Sequence, residues 1–272
     1  KTQESSSEKF EQLTSVDKNL SSLVITLMDE YESLSAINDQ TYSDFMEQMS
    51  ANYQKSVNTL SSDIQLIDDT ETQKNLQNIT EALNQYHEAL TFVSNQRQKV
   101  GFTSSSSLKA EVATLGESTL SLISFLSLIK QEFLPVREAE NIFIFEPSDE
   151  NKQLFMERYE KFHNRVSTFG LLEQFGADLD TYFASITNFD KESQKLNELQ
   201  SSFLSVREAF NATRKDTVDY MQNVVKQARE EAKASATQAR FGLIVVSAIV
   251  AILSALMVVG IGRNVKNTLS QI

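Results

Sequence analysis

The chain has 272 residues, 40% of them apolar, and a formal net charge of −12. That length supports one or two helical modules with cores of their own, and the acidity argues against a nucleic-acid partner, whose phosphates it would repel. Seven Gly and two Pro leave little material for hairpins or Gly-rich phosphate loops, so long helices are expected. Cysteine is absent, which excludes disulfides and thiolate metal sites.

Residues 8 to 66 carry apolar side chains at three- and four-residue steps (Phe10, Leu13, Val16, Leu20, Leu23, Leu27, later Val57, Leu60, Ile64) and read as one long helix or two in series, with INDQTYSD at 37 to 44 as the weak point. A further helix follows DDTE, capped by Asp69 or Thr70, and runs to about Lys99. GFTSSSS at 101 to 107 is a loop, because Gly and four successive Ser offer no packing face. From Leu108 one helix is expected to reach EPSDE at 146 to 150, with Leu115, Leu122, Leu126, Ile129, Phe133 and Val136 along one stripe.

Pro147 ends that helix, since it disfavours helical geometry at Glu146, and Ser148 or Asp149 can cap the next, about 149 to 169. A fifth piece, punctuated by Gly170 and Gly176, extends to about Asn188, and a sixth begins near Asp190 and meets no breaker for fifty residues. Along it Leu196, Leu199, Phe203, Val206, Phe210, Thr213 and Thr217 alternate by three and four, the spacing of a seam.

FGLIVVSAIVAILSALMVVGIG, from Phe241 to Gly262, holds no charge for twenty-two residues and is long enough to cross a hydrocarbon core of roughly 30 Å. It reads as a transmembrane helix. Arg263 and Lys266 follow it without an acid, whereas the residues before it carry all 37 acids, which places the large acidic domain outside and the short tail in the cytoplasm. Lys226, Arg229, Lys233 and Arg240 stand on the other flank and oppose that orientation. An extracytoplasmic domain also needs an export element upstream of Lys1.

One local frame occurs twice. FLPVREAEN at 133 to 141 and FLSVREAFN at 203 to 211 share Phe, Leu, Val, Arg, Glu, Ala and Asn at the same offsets. Arg137 and Arg207 each fall one position past an apolar seam residue, where a guanidinium can reach a cleft while its stem stays packed. Its planar fork suits a carboxylate, so a small organic acid is the matching ligand.

Arg214 lies seven residues beyond Arg207, with Asn211 and Thr213 nearby to donate or accept, and Glu140 stands where the second copy has Phe210. An ion pair between Arg137 and Glu140, or between Arg207 and a neighbouring acid, would explain either arginine without a ligand. If only one site binds an acid, the surroundings favour Arg207. His87 and His163 are the two histidines; His163, near Arg158, Arg165 and Tyr159, could line a pocket but reads first as a half-buried helix residue. No HExxH, GxSxG or phosphate-loop pattern occurs, and neither a cofactor nor catalysis is indicated.

The layout resembles the helical bimodular sensor domains of bacterial methyl-accepting chemotaxis proteins and some sensor histidine kinases. The stretch that carries the likeness is REAENIFIFEPSDENKQLFMERYEKF at 137 to 162, and the likeness extends over roughly residues 5 to 240. The resemblance implies an all-α fold of six helices in two stacked four-helix bundles, the last helix continuing into the membrane helix. It implies an extracytoplasmic sensor over residues 1–240, a span over 241–262, and a HAMP-like linker beginning at 263–272.

On the same resemblance Arg137 belongs to the membrane-distal module and Arg207 to the proximal one. The receptor would sit as a homodimer in the bacterial inner membrane, its sensor in the periplasm, and would act on cytoplasmic kinase-control machinery. Two features depart from the family. No arginine precedes Arg97, whereas members that bind dicarboxylates place arginines on the first helix, and Thr268 stands near the place of a usual HAMP proline. Two alternatives remain: the input domain of a histidine kinase, and a tail-anchored fusion-type protein whose large domain is cytoplasmic.

Overall fold

A computed structural model describes the backbone of residues 2–269 and the side chains of residues 9–227, 229, 230, 233 and 234. All regular structure among the described residues is α-helical. Seven helices follow in order: α1 (Thr2–Ala36), α2 (Tyr42–Leu66), α3 (Thr70–Val100), α4 (Ser107–Leu122), α5 (Ser127–Phe145), α6 (Asp149–Thr168) and α7 (Leu172–Leu269). The short connections make chain neighbours antiparallel where they fold back on one another.

The helix starts follow local chemistry. Asp69 accepts the backbone N–H of Thr72 at 2.9 Å, and Ser148 accepts that of Asn151 at 3.2 Å, so both expected caps are made. Asn38 closes the α1–α2 corner by accepting from the N–H groups of Gln40 and Thr41. α3 ends on Gly101, whose φ of 114° lies in a region that L side chains rarely adopt. Gly170, at φ 69°, turns the chain from α6 into α7.

The expected count of six helices is corrected to seven among the described residues. The stretch expected as one helix from 108 to 146 is broken at 123–126, where Ser124 and Leu126 N–H groups bond only three residues back, to Ser121 and Ile123. No Gly or Pro marks this turn; burial of Ile123 in the core below sets it. Conversely, the expected fifth and sixth pieces are one helix, α7, because Gly176 is accommodated within it. At 1.5 Å per residue its 98 residues make a rod on the order of 150 Å.

Two hydrophobic cores result. One gathers Leu13, Val16, Leu20, Leu23 and Leu27 of α1, Met49 and Leu60 of α2, Leu76, Ile79, Leu83, Tyr86 and Leu90 of α3, and Phe203, Phe210 and Met221 of α7. The other gathers Val112 of α4, Phe133, Val136 and Phe143 of α5, Phe155, Tyr159 and Phe162 of α6, and Phe175, Leu179, Tyr182 and Phe189 of α7. α7 is the fourth wall of both, and Leu196 packs against each. The seam from Leu196 to Thr217 therefore faces the first core within one chain.

The expected membrane span, Phe241 to Gly262, lies outside the residues whose side chains are described. Among the described residues no helix is long and apolar enough to cross a membrane.

Candidate functional site

The two copies of the arginine frame occupy different places. Arg137 lies on α5 in the second core, and Arg207 on α7 in the first. Since α5 is the second helix of its group and α7 the fourth of both, the matching letters do not mark a structural repeat.

Arg137 is spent within the chain. One terminal nitrogen donates to Glu140, one turn along α5, and the other to Glu117 of α4 at 2.7 Å. Glu140 is fully buried, accepts the Tyr182 hydroxyl of α7 at 2.5 Å, and keeps its Oε1 without a hydrogen-bond partner. Burial pushes its carboxyl above the usual range, against the pull of the Tyr182 hydroxyl and the Arg137 guanidinium.

Gly116 on α4 makes the room, because a Cβ there would collide with the guanidinium. The cluster thus ties α4, α5 and α7 together. This is the ion-pair alternative for Arg137, but in the interior and not on the surface.

Arg207 is placed differently. Its guanidinium lies 4.7 Å from the centroid of the Tyr31 ring of α1, and among the described residues it has no hydrogen-bond or ion-pair partner. Tyr31 stacks on Phe203 with centroids 5.5 Å apart, and Phe203 meets Tyr86 of α3 edge-on at 5.0 Å. Tyr86 is fixed by donating its hydroxyl to the Leu27 carbonyl at 2.9 Å.

Arg207, Tyr31 and Tyr86, with Val24, Leu27, Met28, Glu32, Phe210 and Asn211, line a cleft of ≈ 310 Å³ between α1 and α7, floored by α3. Burial raises the Tyr86 phenol; the nearby Glu30 carboxyl adds to this and Arg207 opposes it. The phenol therefore stays protonated across the physiological range. A cationic fork held over an aromatic face, at the mouth of a largely apolar cleft, can bind an anion and cover the ligand's apolar part.

Of the other expected residues, Asn211 joins this cleft, one turn beyond Arg207. Thr213 returns its hydroxyl to the Ala209 carbonyl at 3.0 Å, and Arg214 keeps a buried Nε without a partner, but neither lines the cleft. Tyr31, Glu32 and Tyr86 had no counterpart in the sequence reading, because nothing in it tied the first and third helices to the last. An aromatic one helical turn beyond Leu27, at the end of the buried Val16–Leu20–Leu23–Leu27 stripe, was the signal available.

His87 stacks on Tyr53 at 4.1 Å, and burial lowers its pKa. His163 lies on an open groove between α6 and α7. Among the described residues no group of His, Cys, Asp or Glu could hold a metal ion.

Fold and cleft together define an all-α bundle protein with a single-chain, arginine-bearing cleft beside its longest helix. No family model, no curated protein and no solved structure matches the chain.

Proposed function

We propose that the chain is the ligand-sensing input module of a bacterial transmembrane chemoreceptor. A small carboxylate solute binds the Arg207 cleft, and the response passes along α7 to a cytoplasmic signalling module through a HAMP-like linker. On this reading residues 1–240 form the periplasmic sensor as two stacked four-helix bundles, 241–262 cross the inner membrane, and the receptor works as a homodimer.

The observation that carries the reading is Arg207 over Tyr31, without a hydrogen-bond or ion-pair partner among the described residues, in a cleft whose one wall is α7. The uncharged run from 241 supports the same reading from sequence. A ligand bridging α1 and α7 favours one relative placement of those helices, and only that difference in affinity can drive a signal.

The full chain in detergent, screened by thermal shift against C2 to C6 carboxylates and amino acids, is expected to give hits. A ligand at a hundred times its Kd adds about 2.7 kcal/mol, which for a chain of this size moves Tm by roughly 5–10 °C. Arg207→Ala is expected to weaken the hit about 10–100-fold, the worth of a charge-assisted hydrogen bond. An Arg207→Ala protein that keeps the full shift would sink the proposal.

A further inference from the structure

The Arg207 cleft holds a second charge that a simple carboxylate would not use. Glu32 of α1 lines the same ≈ 310 Å³ space, and among the described residues its carboxylate, like the Arg207 guanidinium, has no partner. No ion pair joins the two, although opposite charges at the lips of one small cleft attract. Tyr31, Leu27, Tyr86 and Phe210 line the same space and offer apolar surface to a ligand in it.

Resting on the carboxylate reading above, we infer that the cleft takes a zwitterionic amino acid with an apolar side chain, its carboxylate on Arg207 and its ammonium on Glu32. The volume is at the small end of ligand pockets, which run from about 300 to 1,000 Å³, and suits a single amino acid and not a peptide. The charge of the whole molecule favours the same class. A chain of net charge −12 repels a free anion at long range, whereas a zwitterion meets no such barrier.

A ligand lacking the ammonium would also set its carboxylate near an uncompensated Glu32. The Asn211 amide, one turn from Arg207, can bond either end. Specificity would then come from a pair of charges at fixed spacing, with the aromatic floor selecting an apolar side chain over a polar one.

Calorimetric titration of the full chain in detergent with alanine, valine, leucine and methionine tests this, alongside 4-methylpentanoate and isopentylamine as analogues of leucine that each lack one charge. At least one amino acid is expected to bind, and each single-charge analogue at least about tenfold more weakly than leucine if leucine is the hit. Glu32→Gln alters an exposed side chain and leaves the helices intact by circular dichroism. It is expected to weaken the amino acid about tenfold while leaving 4-methylpentanoate unchanged or tighter.

Binding of 4-methylpentanoate as tight as that of any amino acid, or a Glu32→Gln protein with unaltered preference, overturns the zwitterion and leaves the Arg207 site standing. Binding of none of the four amino acids also overturns it. Failure of the amino acids and of every carboxylate in the wider screen overturns the carboxylate site as well.

Discussion

Arg137→Ala is expected to cost about 3–5 kcal/mol of stability, because it leaves an acid with no exposed surface facing only a phenol. Glu140 is at 0% exposure, and after the substitution it retains the Tyr182 hydroxyl alone while its Oε1 remains unpartnered. Loss of the Glu117 contact adds little, since that carboxylate is 68% exposed and water replaces the guanidinium. Urea denaturation at pH 7 reads the effect, and a loss below about 1 kcal/mol would show that the cluster relaxes freely.

The triple substitution Arg137→Met, Glu140→Leu and Tyr182→Phe removes both charges and the buried hydroxyl that Glu140 accepts, and is expected to recover most of the loss, as buried pairs replaced by apolar groups often do. Gly116→Ala sharpens the same argument. In a helix interior alanine is ordinarily favoured over glycine by about 1 kcal/mol, yet here the added methyl must displace the guanidinium from Glu140 and should destabilise.

The second large effect is on pH. Glu30 of α1 is 8% exposed, has one hydrogen bond, from Asn52 of α2 at 2.9 Å, and no ion pair among the described residues. Glu30 and Arg207 of α7 are both near enough to Tyr86 of α3 to act on its phenol. Burial raises the Glu30 carboxyl from 4.5 to about 7, partly offset by Asn52.

The folded chain therefore holds a proton that the unfolded chain releases between those two values. Stability from this group is greatest below pH 4.5 and falls as pH rises to about 7, by on the order of 3 kcal/mol at about 1.4 kcal/mol per unit. Asp63 and Glu140, also raised by burial, add slopes of the same sign, so the contrast between proteins isolates Glu30.

Glu30→Gln keeps an acceptor for Asn52 and cannot ionise. Its melting temperature should match the parent near pH 4.5 and exceed it near pH 8. Parallel melting curves for the two proteins across that range would refute the assignment.

Much of the fold was legible because local chemistry set it. Asp69, Ser148 and the 101–107 loop each announce an end, and the apolar steps of α1 and α3 correspond to buried stripes. The turn at 123–126 was illegible for the opposite reason: ISFL contains no breaker, and only the position of Ile123 over the second core decides where α4 stops.

The site divides in the same way. The frame shared by 133–141 and 203–211 pointed to both arginines, but their fates depend on residues far off in sequence. Gly116 and Glu117 absorb Arg137, whereas Tyr31 supports Arg207, whose donors meet no acceptor among the described residues.

One helix serving as a wall of both cores has a thermodynamic meaning. Melting either set of partners would strip an apolar flank from α7 and leave Leu196 half covered, so each core raises the free energy of opening the other. The two cores are then expected to melt in one coincident transition by probes in either core. Amides along the shared stretch near Leu196 are expected to exchange through global opening, and those at the 123–126 turn through local fraying.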